Sequence, residues 1–364
     1  MATEPSVRVE SEHRALIDEA VGENLDQLAT LDMRGDGLLR FLYRAARDLA
    51  GEPLSLAAAR QLRDCCTSAR HAIFLTGFLS PRDFPETDGL VGTAMLASTL
   101  ERCQGIVPVC VCEREVATPL AAAMRAAGLN ATDELEAAQS VPHPVVILEY
   151  PHEHPNARER TAELSSQLDA AVCIAVERPG ANPKGEYHWS LGKNVTGDIA
   201  PIDFLYRQLQ EQGVPTLAIG DFGNELGMGS LYDVVRSETP AGANCGCGCE
   251  GGTACATAAD VTVLSSTSDW GAYAVAACVA YMAGDWEALP PTGAYRRMLE
   301  DAVRAGAIDG PTRYADFRID GIELDLNCRL LDLMRDSIKA TFTRPAHSPI
   351  LDFRAQRLNR GVSK

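Results

Sequence analysis

From His71 onwards, six short runs rich in Val, Ile, Leu and Ala, at 72–76, 107–111, 145–148, 172–176, 216–219 and 261–264, alternate with longer Ala- and Leu-rich stretches. A strand that reads as one apolar run is buried on both faces, and strands separated by helices join as right-handed βαβ units. The sequence therefore predicts an α/β fold, a doubly wound and mostly parallel sheet flanked by helices. In such sheets ligands sit outside the carboxyl ends of the strands. The residues that follow each run are the ones to inspect.

The flanks have a different pattern. Apolar residues at three- and four-residue spacing predict helices over 13–28, 37–49 and 55–66, punctuated by Gly35, Gly37 and Gly51-Glu52-Pro53. Beyond Tyr281, Pro290-Pro291 marks a break, helices are expected over 295–305 and about 322–337, and the last dozen residues read as frayed. The chain thus divides into an N-terminal helical segment packed on the core, 1–70, an α/β core, 71–285, and a C-terminal helical segment, 286–364. No chemistry is legible in the first 70 residues.

Charge narrows the partners. With 33 basic against 50 acidic residues the net charge is −17, which repels phosphate backbones and anionic lipid. Nucleic acid and membranes are not expected partners. There is neither a basic leader with an apolar run nor a stretch of about 20 apolar residues. Glu4, Glu10 and Glu12 also argue against an acid-poor transit peptide. A cytoplasmic protein is expected, its twelve cysteines reduced, with oligomeric state left open.

Four strand exits carry ionisable groups. The first runs through Gly77 and Phe78 to Glu86-Thr87-Asp88-Gly89, where two carboxylates could meet a small molecule, or Thr87 or Asp88 could simply cap the next helix. The fourth ends in Glu177-Arg178-Pro179-Gly180, followed by His188-Trp189. An Arg there offers a planar fork for a substrate carboxylate, whereas the plainer reading is a Glu–Arg surface pair and a satisfied His188. The fifth leads into Gly220-Asp221-Phe222-Gly223-Asn224-Glu225-Leu226-Gly227-Met228-Gly229, in which glycines allow close backbone approach and three polar side chains suit an amine or a hard divalent cation. The sixth delivers Asp269-Trp270-Gly271, with Asp269 either a helix cap or an ammonium anchor. Neither a dinucleotide-binding nor a phosphate-loop glycine motif follows the first strand.

Cys245-Gly246-Cys247-Gly248-Cys249, with Cys255 further on, lacks the Cys-x-x-Cys pairs usual for zinc or iron–sulfur clusters. It reads as a flexible glycine loop, with a soft metal as the alternative.

Taken in order, Thr76-Gly77-Phe78, Glu86-Thr87-Asp88-Gly89, Glu177-Arg178-Pro179-Gly180, Ala200-Pro201-Ile202-Asp203, the 220–229 loop and Asp269-Trp270-Gly271 resemble the D-glutamate cyclase family over roughly residues 72–282. The chain departs from that family's pattern at Phe222, at His188-Trp189 and at Asp269, and its cysteine loop is not a family feature. The resemblance implies cyclisation of D-glutamate to 5-oxo-D-proline with loss of water, requiring no cofactor. It further implies Arg178 on the substrate carboxylate, Glu225 or Asp269 on the amine, Glu86 or Asp88 in acid/base work, and Asn224 with loop amides on the oxyanion. Gly77, Gly223, His188 and Trp270 would complete the substrate site, and a divalent cation, Mn or Mg, could rest on Asp221. The expected partner is a small amino acid. Two alternatives stand beside this reading: a cyclase of specialised metabolism that closes another small nitrogen ring, of lactam or aziridine type, and a non-catalytic amino-acid-binding protein.

Overall fold

All six expected strands form. In the computed structural model, which describes residues 5–66, 70–80, 83–343 and 348–359, they are β1 (His71–Thr76), β2 (Val107–Cys112), β4 (Pro144–Glu149), β5 (Ala170–Val176), β6 (Thr216–Gly220) and β7 (Val261–Leu264). A seventh, β3 (Asn130–Thr132), escapes sequence reading because it is three residues long and only partly buried, so it carries no apolar run. The order is β3-β4-β2-β1-β5-β6-β7, and every neighbouring pair is parallel. The chain runs outward from β1 to β2 and to the edge strand β3, returns to set β4 between those two, then crosses back to lay β5 against the other side of β1. The exits of β1 and β5 therefore flank the reversal, where a doubly wound sheet opens its crevice.

The helices are α1 (Pro5–Ala29), α2 (Leu38–Ala50), α3 (Leu54–Cys65), α4 (Leu90–Gln104), α5 (Arg114–Ala126), α6 (His154–Gln167), α7 (Asp203–Glu211), α8 (Tyr232–Glu238), α9 (Ser268–Ala283), α10 (Thr292–Arg304), α11 (Leu324–Phe342) and α12 (Pro349–Asn359). Because side chains alternate across a strand, β1 feeds both layers. Ala72 and Phe74 join the core that includes residues of α1–α5 and α9–α11, while Ile73 and Leu75 join the core with α6 and α7. Helix α9 is buried on every side from Ser268 to Tyr281. A helix apolar all round needs cover beyond the sheet, and α1, α3, α4 and α11 supply it. This requirement draws the terminal segments onto the core.

The frayed C-terminus is corrected over part of its length: α12 continues through Asn359, while residues 360–364 lie outside the described residues. Among the described residues no helix is long and apolar enough to cross a membrane.

Candidate active site

A cavity of about 430 Å³ opens at the exits of β1, β5 and β6, lined by the carboxylates Glu86, Glu177, Asp221, Glu225 and Asp320. Arg34, Arg313, Asn224 and the rings of Phe78, Trp189 and Phe222 complete much of the wall. Three of these groups, Arg34, Arg313 and Asp320, come from flanking segments in which the sequence shows no chemistry. The loop after α1 docks on the β7 exit, where Ser266 donates its amide to the Ala29 carbonyl at 2.8 Å and its hydroxyl to the Leu31 carbonyl. That docking sets Arg34 in the cavity, with Nη1 2.8 Å from Asp221 Oδ2, 3.9 Å from Asp320 Oδ2, and the guanidinium 4.1 Å from the Phe222 ring centre. Asp320 sits at φ 50° in the turn of a small hairpin, Arg318–Ile319 with Ile322–Glu323. Thr87 ties this segment to the β1 exit, donating Oγ1 to the Arg318 carbonyl at 2.7 Å and its amide to the Ile308 carbonyl at 2.9 Å.

The negative charge is dense and poorly neutralised. Two triads, Glu177–Asp221–Glu225 and Asp88–Asp221–Asp320, bring one oxygen from each member within 4.8 Å of the others, and they share Asp221. Burial first, then the neighbouring Asp221, pushes the Glu225 carboxyl up to about 8. Glu177 is also raised far above the carboxylate range by burial and by Asp221 and Glu225, although Ser268 Oγ donates to it at 2.5 Å. Burial raises Asp320 as well, reinforced by Asp88 and Asp221, with Arg34 opposing. Hard oxygen donors so disposed suit a divalent cation such as Mg or Mn.

Several expected site residues lie elsewhere. Arg178 does not reach the cavity: it is 1% exposed, and Nη1 and Nη2 form a two-pronged pair with Glu113 at 2.5 and 2.6 Å while also donating to the carbonyls of Gly77 and Ala200. Gly77 thus holds Arg178 through its carbonyl. Sequence reasoning missed Glu113, whose signal was only its place after β2. Asn224 does line the cavity, but Nδ2 donates to the His188 carbonyl at 3.1 Å, which fixes the amide's orientation and leaves Oδ1 buried without a partner among the described residues. An acceptor there suits an ammonium, not an oxyanion. The Phe222 and Gly223 amides are also committed, both donating to Glu225, at 3.0 and 2.7 Å. Trp270 is a core residue whose Nε1 donates to Asn327 at 2.7 Å.

Asp88 and Asp269 are reciprocal helix caps. Asp269 Oδ1 accepts the amides of Gly89 and Gly92 at the start of α4, and Asp88 accepts those of Ser268 and Asp269 at the start of α9. The expected own-helix caps are corrected: Thr87 donates to the Arg318 carbonyl instead, Asp88 takes only the Gly89 amide at the start of α4, and the N-cap of α9 is Thr267, whose Oγ1 accepts the Trp270 amide at 3.3 Å. Burial raises Asp88, with Asp269 and Asp221 adding to it, and lifts Asp269 to about 7 against the amides of Gly92 and Gly89. Among these expected site residues, Glu86, Asp221, Asn224 and Glu225 line the cavity itself.

His188 is buried and turned away from the cavity, toward the cysteine loop. Its Nε2 lies 3.3 Å from Cys247 Sγ and 3.7 Å from Cys249 Sγ. The hydrogen bond with His188, then that with Cys245, holds the exposed Cys247 thiol down to about 6. Cys255 stays apart, buried, with Sγ near the Thr257 carbonyl.

A parallel α/β sheet with an acidic cavity at its reversal defines a protein of the doubly wound class with a small-molecule site. Within that class, the model of the family described as D-glutamate cyclase-like, C-terminal, matches residues 25–335, and the chain belongs to that family. The match begins within α1 and takes in Arg34 and Asp320. The chain is also similar to human mitochondrial D-glutamate cyclase, 34% identical over 110 residues, which are 30% of this chain and 16% of that protein.

Proposed function

We propose that the protein is an intramolecular amine cyclase acting on a small amino acid, with the conversion of D-glutamate to 5-oxo-D-proline and water as the first reaction to test. The observation that carries this reading is the set of five carboxylates on one cavity, with Arg34 among them. An amino acid presents an ammonium and a carboxylate. The acidic wall and Asn224 Oδ1 suit the first, and Arg34 or Arg313 suits the second. Glu225, at about 8, and Glu177, also raised by burial and by its acidic neighbours, can exchange protons as acid and base in the same cavity. One takes a proton from the ammonium; the nitrogen attacks the γ-carboxyl carbon and then gives up a second proton; the two carboxyls pass both protons to the departing carboxylate oxygen, which leaves as water. Holding amine and carboxyl together supplies much of the acceleration. A Mn or Mg ion held by either triad would polarise the carboxyl under attack.

One observation favours a wider substrate range. Phe222 and Trp189, two positions that depart from the family pattern, both line the cavity, whose volume falls in the range of drug-sized ligands. This suits a larger amino acid whose amine closes a different small nitrogen ring with another leaving group.

A proton NMR time course with D-glutamate and L-glutamate, each with EDTA or manganese, tests the reading. Formation of 5-oxoproline from the D isomer supports it, and the EDTA arm reports the need for a cation. No ring closure with either isomer removes glutamate as substrate. A ligand-induced thermal shift without turnover would point to a binding protein.

A further inference from the structure

We infer that His188, Cys245, Cys247 and Cys249 form a binding site for one tetrahedral thiophilic metal ion, of which zinc is the class that the donors fit. The four ligand atoms all lie within 4.8 Å of one another. Cys245 Sγ is 3.1 Å from Cys247 Sγ and 3.4 Å from Cys249 Sγ, and His188 Nε2 is 3.3 and 3.7 Å from the last two. A tetrahedral ion with Zn–S near 2.3 Å and Zn–N near 2.0–2.1 Å sets its ligands about 3.6–3.8 Å apart. The observed edges come within a few tenths of an ångström of that figure, or somewhat under it, so a small outward movement admits the ion.

In an extended strand Cys-x-Cys spacing puts the thiols on one face but about 7 Å apart, and in a helix it sends them to opposite sides, so neither regular backbone gathers three thiols around one ion. Here the intervening residues are Gly246 and Gly248, at φ 74° and 94°, a left-handed backbone that turns the chain at each step and brings three thiols to one centre. The fourth donor comes from another segment, which is why sequence spacing conceals it. Surrounding N–H groups favour thiolates: the Gly251 amide and Asn182 Nδ2 each approach Cys249 Sγ at 3.4 Å, and Asn194 Nδ2 approaches Cys247 Sγ at 3.8 Å. Asn182 is itself held by the Gly252 carbonyl at 2.7 Å. Three thiolates and an imidazole select a soft ion, whereas the carboxylate triads select a hard one.

The site is structural in its consequence. All four coordination positions are filled by protein, so none is left for substrate. His188 is followed directly by Trp189, Ser190 and Leu191, which line the cavity, and a methyl group on Gly192 would lie 2.5 Å from the Cys245 carbonyl oxygen. The ion would pin this wall to the cysteine loop.

The test is elemental analysis of protein purified under reducing conditions, together with cobalt substitution. The expected result is one zinc per chain, and with cobalt the intense thiolate charge-transfer and tetrahedral d–d bands. Cys245→Ser and Cys249→Ser should bring zinc and bands to background, while Cys255→Ser leaves both intact. A cobalt ion on the carboxylates would give only weak octahedral bands. Should the serine variants fail to fold, a competition titration of the wild-type protein with a chromogenic zinc chelator decides the matter. No retained zinc and no thiolate–cobalt bands in the reduced wild type would overturn the proposal, as would iron–sulfur absorption in its place.

Discussion

Two arginines, both facing carboxylates, mark the difference between scaffold and site. Arg178 is wholly buried, matched by one carboxylate and two carbonyls; Arg34 keeps 26% of its side chain exposed and faces Asp221, with Asp320 and three further acids on the same cavity. A charge buried against a carboxylate that is buried with it is locked, since separating the pair leaves an uncompensated ion in a medium of low polarity. A cation outnumbered by acids retains the freedom to exchange partners, which is what ligand binding asks of it. The position of an arginine at a strand exit thus says less about function than the state of its partners does.

The comparison can be broken from either side. Arg178→Ala or Glu113→Gln should each cost about 3–5 kcal/mol of stability, read as a lowered denaturant midpoint; a loss confined to activity, with the midpoint unmoved, would return Arg178 to the substrate site. Arg34→Gln should do the reverse, lowering kcat/KM for the cyclised substrate about 10²-fold while the midpoint changes little. A smaller effect follows from the buried acids. Glu225 and Asp269 hold their protons in the fold up to about 8 and 7, where the unfolded chain has already released them. Their contribution is therefore complete below the ordinary carboxylate range and fades as pH climbs toward 8. Melting temperature should fall between pH 5 and 8 in the wild type, by the equivalent of at least about 1 kcal/mol, and the fall should be shallower in Glu225→Gln.

The parallel sheet was legible because buried strands write themselves as apolar runs. The family too was legible, since its strand-exit loops are contiguous in sequence. Arg34 and Asp320 were not, because what brings them to the cavity is the docking of terminal segments onto α9, a tertiary demand with no local signature. His188 and the three cysteines were hidden for a related reason: the ligands come from two segments, and the spacing of the second works only through left-handed glycines. Arg178 misled because a strand-end guanidinium looks the same in sequence whether or not a buried Glu113 awaits it.

The crossed capping of α4 and α9 has a kinetic side. Since Asp88 secures the start of α9 and Asp269 the start of α4, neither helix can fray at that end without releasing the other. Local opening there is a single concerted event, so the amides of Gly89, Gly92, Ser268 and Asp269 belong to one unit of hydrogen exchange, though up to 180 residues apart in the chain.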